Sequence, residues 1–251
     1  MSDAQVHDGV PPNPFAGLVV VELGHSVAAP FAGQILGELG AQVIKIEKAD
    51  GDDARKWGPP FWEGASAFFQ ALNRNKQSVV CELRDAEQLA ALKQLIYERA
   101  DIVIQNLRPG HVEKLGLDGA SLLRLKPSLI YCNLGAFGRE GPLKDRPGYD
   151  PLMQAFGGIM STTGELGRPS VRVGASIVDM GTGMWAVIGI LTALYERYTS
   201  GQGRVVDVSL FETAGCWVSL LAAQYMASGQ LAGKQGSGSP GIVPYKAYAT
   251  R

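Results

Sequence analysis

Six short runs rich in valine, isoleucine and leucine recur along this chain, and they constrain its fold more than any other feature. They are Leu18 to Leu23 (LVVVEL), Val43 to Glu47 (VIKIE), Ser78 to Leu83 (SVVCEL), Asp101 to Gln105 (DIVIQ), Leu129 to Leu134 (LIYCNL) and Val205 to Leu210 (VVDVSL). Runs of this length and β-branched content read as strands, and their nearly continuous apolarity places both faces of each strand in a core. Stretches with helical signals separate them. Strands that alternate with helices build a parallel sheet covered on both sides. The expected fold class is therefore α/β: a doubly wound, mostly parallel, Rossmann-like domain.

Local signals fill in the connections. Pro30 opens a helical stretch that closes at Gly40, so residues 18–47 form one β-α-β unit with a right-handed crossover. Asp85 and Gln88 read as a capping box, and Leu89, Leu92, Leu95 and Ile96 share one face of the helix that follows. Residues 135–183 are rich in Gly, Pro, Ser and Thr. So long a stretch without strong periodicity is expected to carry function. A helix from about Met180 to Tyr198 follows, with Asp179 at its N-cap position. A second apolar helix spans about Phe211 to Ala227. The domain reading is a loose leader over 1–14, a large domain over 15–227, and a linker over 228–251 that begins a smaller domain. The chain stops at Arg251, where the last residues read as the start of a strand.

Composition removes several classes of function. Net charge is −1 and no basic run appears, so nucleic acid is not an expected partner. The apolar run Met180 to Tyr195 ends in Glu196 and Arg197, which reads as a buried helix rather than a membrane span. Cys81, Cys132 and Cys216 lie far apart in apolar stretches and read as buried, reduced thiols. With the polar start of the chain, they point to a cytoplasmic setting. His7, His25 and His111 have no partners at metal-ligand spacing, so no metal site is expected. The turn Gly24-His25-Ser26-Val27-Ala28-Ala29-Pro30 lacks the glycines of a dinucleotide fingerprint. A G-x-S-x-G nucleophile elbow is also absent.

Seven segments remain. They are 40–47 (GAQVIKIE), 72–78 (LNRNKQS), 105–110 (QNLRPG), 148–150 (GYD), 161–164 (STTG), 178–183 (VDMGTG) and 200–210 (SGQGRVVDVSL). In this order and spacing the chain resembles the class III CoA-transferases of the CaiB/BaiF type, the family of formyl-CoA and carnitine CoA-transferases, from about Phe15 to Arg251. The resemblance implies transfer of CoA from an acyl-CoA thioester to a small carboxylic acid, with CoA as substrate and no permanently bound cofactor. It places the nucleophilic carboxylate on Asp179. Attack on the acyl-CoA carbonyl would give an aspartyl anhydride, and the expelled thiolate would convert this to an aspartyl-CoA thioester. Gly181 and Gly183 are expected to leave room for the thioester.

The resemblance also implies CoA contacts at His25, Ala28, Lys48, Leu72, Lys76, Asn106, Leu107, Arg108 and Lys114, with Tyr149 near the thioester. Val27 stands where the formate-type members carry Gln. The related 2-methylacyl-CoA racemases place a His near the position of Tyr149, which disfavours that alternative here. Full-length members continue into a small second domain with a glycine-rich loop and form interlocked homodimers. The chain thus reads as truncated on its C-terminal side, which keeps open a CoA-binding fragment or remnant without turnover.

Overall fold

The computed structural model describes residues 13–239 and 241–250. The expected leader lies almost wholly outside these. The first β-α-β unit comprises β1 (Val19–Leu23), α1 (Ala28–Glu38) and β2 (Gln42–Glu47). A 3₁₀ turn (Asp53–Lys56) and a small hairpin, β3 (Phe61–Trp62) with β4 (Ala65–Ser66), lead into α2 (Ala67–Leu72) and β5 (Lys76–Val80). Then come α3 (Ala86–Arg99), β6 (Ile102–Gln105), α4 (His111–Leu115), α5 (Gly119–Leu125) and β7 (Ile130–Gly135). Two short helices, α6 (Asp150–Phe156) and α7 (Ile159–Thr162), precede the long α8 (Ile177–Ser200). The order closes with β8 (Val205–Ser209), α9 (Leu210–Trp217) and α10 (Ser219–Ser228). From Gly229 onward the described residues hold no helix or strand.

All six long strands pair in parallel, in the order β5-β2-β1-β6-β7-β8. This is the doubly wound α/β arrangement expected from the alternation of runs. Successive side chains of a strand point to opposite faces, and β1 shows the result. Val20 packs into the core layer with α1 and α8, while Val21 packs into the layer with α3 and α5. Each such valine, fully buried, contributes about 1.5–3 kcal/mol.

Strand order reverses between β1 and β6. The chain winds outward from β1 to β2 and β5, then returns to β6 and proceeds to β7 and β8. At such a switch point the connections after the two central strands diverge and leave a crevice beyond their C-terminal ends. Helices that connect parallel strands run back against them, so the N-terminus of α8 lies at this same end of the sheet.

Three expectations change. The apolar stretch 211–227 is two helices, α9 and α10, broken at Val218. Cys81 and Cys132 are buried and free, but Cys216 is exposed. Helix α8 is buried on one face only. Val178, Thr182, Ala186, Val187, Ile190 and Ala193 face inward, whereas Met184, Trp185, Ile188 and Tyr195 stand exposed. Its length and composition would suffice to cross a membrane, and here it packs against α1, β7, β8 and α9.

Candidate active site

A cavity of about 640 Å³ opens at the switch point. The loop after β1 supplies His25 to Ala28, the end of β6 and its loop supply Gln105 to Gly110, the end of β7 supplies Asn133 to Ala136, β8 supplies Asp207 and Val208, and α9 supplies Leu210. Tyr149 and Asp179 are also in the wall. The structure therefore brings together Asp179, Tyr149, His25, Ala28, Asn106, Leu107 and Arg108. A second cavity of about 460 Å³ adjoins it and shares His25, Asp53 and Leu107. Lys48 lines this second space with Arg84 and His111.

Leu72, Lys76 and Lys114 line neither cavity. Leu72 ends α2, and Lys114 is exposed on α4. Lys76 lies inside the fold. Its ammonium donates to the Pro30 carbonyl at 2.7 Å and the Asn73 side chain at 2.9 Å, and pairs with Glu22 at 2.8 Å. Its ammonium thus faces interior acceptors and reaches neither cavity, so the expectation of a CoA contact there is corrected.

Asp179 is not an N-cap. Helix α8 begins at Ile177, which puts Asp179 in its first turn. Ser176 occupies the cap position without a side-chain cap bond. The cap comes from another element. Asp150, at the start of α6, accepts the Val178 N–H at 2.7 Å and the Asp179 N–H at 3.2 Å on one carboxylate oxygen. Its other oxygen accepts from Gln154 at 2.5 Å. Gln154 is fully buried and also takes the Val173 N–H at 2.7 Å, tying down the segment that enters α8.

Two orphan N–H groups of the helix are thus satisfied by a neighbour, and the carboxylate of Asp179 is left free. Among the described residues it accepts no hydrogen bond and joins no ion pair. Burial, and then the nearby Asp150 charge, push its pKa up to about 7. The helix N-terminus favours the ionised form, but desolvation prevails. At neutral pH the group is divided between acid and carboxylate.

The glycines after Asp179 serve a different purpose from the expected one. A Cβ on Gly181 would meet Thr213 and Trp217 at 3.0 Å, and one on Gly183 would meet the Ala28 carbonyl oxygen at 2.8 Å. Both let neighbouring backbone and helices approach α8. The space for a ligand comes from the strand ends.

Asn106 also has a different placement. Its amide oxygen accepts the His25 N–H and its amide nitrogen donates to the His25 carbonyl, both at 2.9 Å. The side chain clamps the two loops that flank the switch point. Burial lowers the pKa of His25, and its ring contacts the Ser26 hydroxyl at 3.0 Å. Ser26 adopts a left-handed φ of 67°, and its N–H is held by Asp52 at 3.1 Å.

Asp52 belongs to a buried charge network beneath the same loop. Lys45 pairs with Glu22 at 2.9 Å and Asp52 at 3.0 Å, and donates to the Gly24 carbonyl at 2.7 Å. Burial alone would lower its pKa, yet the two carboxylates outweigh it and the value is raised. Burial brings Lys76 down to about 8 despite Glu22.

Comparison with known proteins places this geometry in a family. The model of "CoA-transferase family III" matches residues 15–251. The chain belongs to that family. Similar proteins include the succinate–glutarate CoA-transferase of Agrobacterium fabrum, 38% identical over 94% of this chain and 61% of the relative. The succinyl-CoA–D-citramalate CoA-transferase of Chloroflexus aurantiacus is 37% identical over 96% of the chain and 60% of the relative. The crystal structure of a CaiB/BaiF family protein from Brucella suis superposes with a TM-score of 0.88 at 42% identity, covering 93% of this chain and 62% of that one. The chain thus spans about three fifths of the length of these family III proteins.

Asp150, Gln154 and the row Gln105, Asn133 and Asp207 along the strand ends were not singled out from the sequence. For Asp150, Gln105 and Asp207 a signal existed in the segments 148–150, 105–110 and 200–210. Gln154 offered only its polarity between Met153 and Ala155.

Proposed function

We propose that this chain forms the CoA-binding and nucleophile-bearing part of an enzyme that moves CoA from an acyl-CoA to a carboxylic acid. The observation that carries the reading is the carboxylate of Asp179: free of hydrogen bonds among the described residues, placed at the switch-point cavity, and with its pKa raised to about 7. A carboxylate held in water or by donors is a weak nucleophile, and a partly desolvated one is stronger. Asp179 attacks the acyl carbonyl, the C–S bond breaks, and CoA leaves as thiolate. The thiolate attacks the aspartyl carbonyl of the anhydride and releases the first acid. The acceptor acid then attacks the aspartyl-CoA thioester, and a second anhydride delivers the acyl group back to CoA. Each covalent step conserves the thioester's energy while water is kept out.

In this reading the two adjoining cavities take the two ends of CoA: the nucleotide end beside Lys48, Arg84 and His111, and the pantetheine arm past His25 and Leu107 towards Asp179. The support is that these residues line the two spaces. The homodimer expected of the family is part of the same proposal, supported by the exposed apolar side chains of α8 and α10 such as Trp185, Ile188, Leu220 and Met226.

Incubation with succinyl-CoA followed by intact-mass and peptide analysis tests the reading. A hydroxylamine-sensitive adduct on Asp179, absent from Asp179→Asn, is the expected result. CoA binding without any adduct would instead mean a CoA-binding chain without turnover.

A further inference from the structure

Across the floor of the larger cavity runs a row of side chains from β6 to β8. Gln105 donates to Asn133 at 2.6 Å, and Asn133 donates to Asp207 at 2.7 Å. The Gln105 oxygen is itself fixed by the Leu107 N–H at 2.8 Å. The two amides are buried, so the row is rigid and its direction is set. It ends at Arg139, whose guanidinium lies 3.6 Å from Asp207, with about half of its side chain exposed.

The loop that carries Arg139 is equally fixed. Gly138 turns it with a φ of 85°. Phe137 packs edge-on against Phe156 at 5.5 Å and beside Phe211 at 6.0 Å, and the Ala136 carbonyl accepts the Phe211 N–H at 2.9 Å. Arg108, Lys144 and Arg146 line the same cavity as exposed side chains. Among the described residues Arg139 alone of these four pairs with a carboxylate, Asp207, at a distance too long to satisfy a fork of five donors. A planar cation held ready in this way suits a second planar anion approaching from the cavity.

We propose that Arg139 reads the distal carboxylate of a dicarboxylic acid, and so sets this site's preference for dicarboxylic over monocarboxylic acids as CoA thioesters. The inference rests on the CoA-transfer reading above. The names of the similar transferases, which include succinate, glutarate and citramalate, are consistent with that class of acid.

Isothermal titration of the full chain tests it, with succinyl-CoA, butyryl-CoA and free CoA as probes, on wild type, Arg139→Gln and Arg139→Lys. Wild type is expected to bind succinyl-CoA about 10-fold tighter than butyryl-CoA, the size of one charge-assisted contact. Arg139→Gln should erase that difference and leave butyryl-CoA and free CoA unchanged, and Arg139→Lys should keep part of it. Equal weakening of all three probes would place Arg139 on a CoA phosphate and overturn the proposal. A succinyl preference that survives in Arg139→Gln would overturn it too. Failure of the wild type to bind free CoA would remove the CoA-transfer reading itself, and this inference with it. Unchanged circular dichroism of the variants excludes misfolding as the cause.

Discussion

Two groups of buried charge lie at the same end of the sheet, and they are built in opposite ways. Under the first loop, Glu22 and Asp52 face Lys45 and Lys76, two anions against two cations, each within about hydrogen-bond distance of its partner. At the start of α8, Asp179 faces Asp150, anion against anion, with no cation paired to either among the described residues. The paired group has its charges neutralised and its geometry fixed, and its role is to hold the loop. The unpaired pair keeps a carboxylate whose charge is poorly compensated and whose pKa is raised. Burial is common to both groups. The presence or absence of a counter-charge is what sets them apart.

Breaking the paired group should have the largest effect. Lys45→Met would strand Asp52 without a paired cation and leave Glu22 with Lys76 alone, and is expected to destabilise the fold by about 3–5 kcal/mol, read as a shift in the urea midpoint. A change below about 1 kcal/mol would mean that the network contributes little net stability.

Removing charge from the unpaired group should act in the opposite direction. Asp179 has a folded pKa of about 7 against an ordinary value of 3.8. Between these values the folded chain holds a proton that the unfolded chain has released, so wild-type stability falls as pH rises through that window. Asp179→Asn lacks this penalty. It should be more stable than wild type by about 1–3 kcal/mol at pH 8, with the gain fading towards pH 4. Thermal melts at the two pH values give the comparison, and a variant less stable than wild type at pH 8 would contradict it.

The finest effect separates the two causes at Asp179. Asp150→Asn removes the neighbouring charge but leaves the burial. The titration midpoint of Asp179, followed by carboxyl carbon NMR, should move down from about 7 and stay above 3.8. A midpoint that did not move would assign the whole shift to burial.

The strands and their doubly wound order were legible because valine and isoleucine runs carry their own signal over a few residues. Helices α4 to α7 were not, since a helix of four to seven residues is too short to display a period. Asp179 was legible as a position in a motif, but its setting was not. The carboxylate that caps its helix lies 28 residues from Val178 in the chain, and no local pattern joins them. Lys76 misled for a related reason. The resemblance set it against CoA, and only the fold reveals that Glu22 waits inside for it. Gly181 and Gly183 were visible as small residues, yet whether their space admits a ligand or a neighbouring helix depends on what the chain brings there.

One contact in the paired group reaches further than its own energy. The Glu22 carboxylate occupies the place where any side chain on Gly33 would begin. Positions 22 and 33 are therefore coupled: a side chain on Gly33 would have to push the tip of Glu22 aside, and with it the anion that Lys45 and Lys76 share.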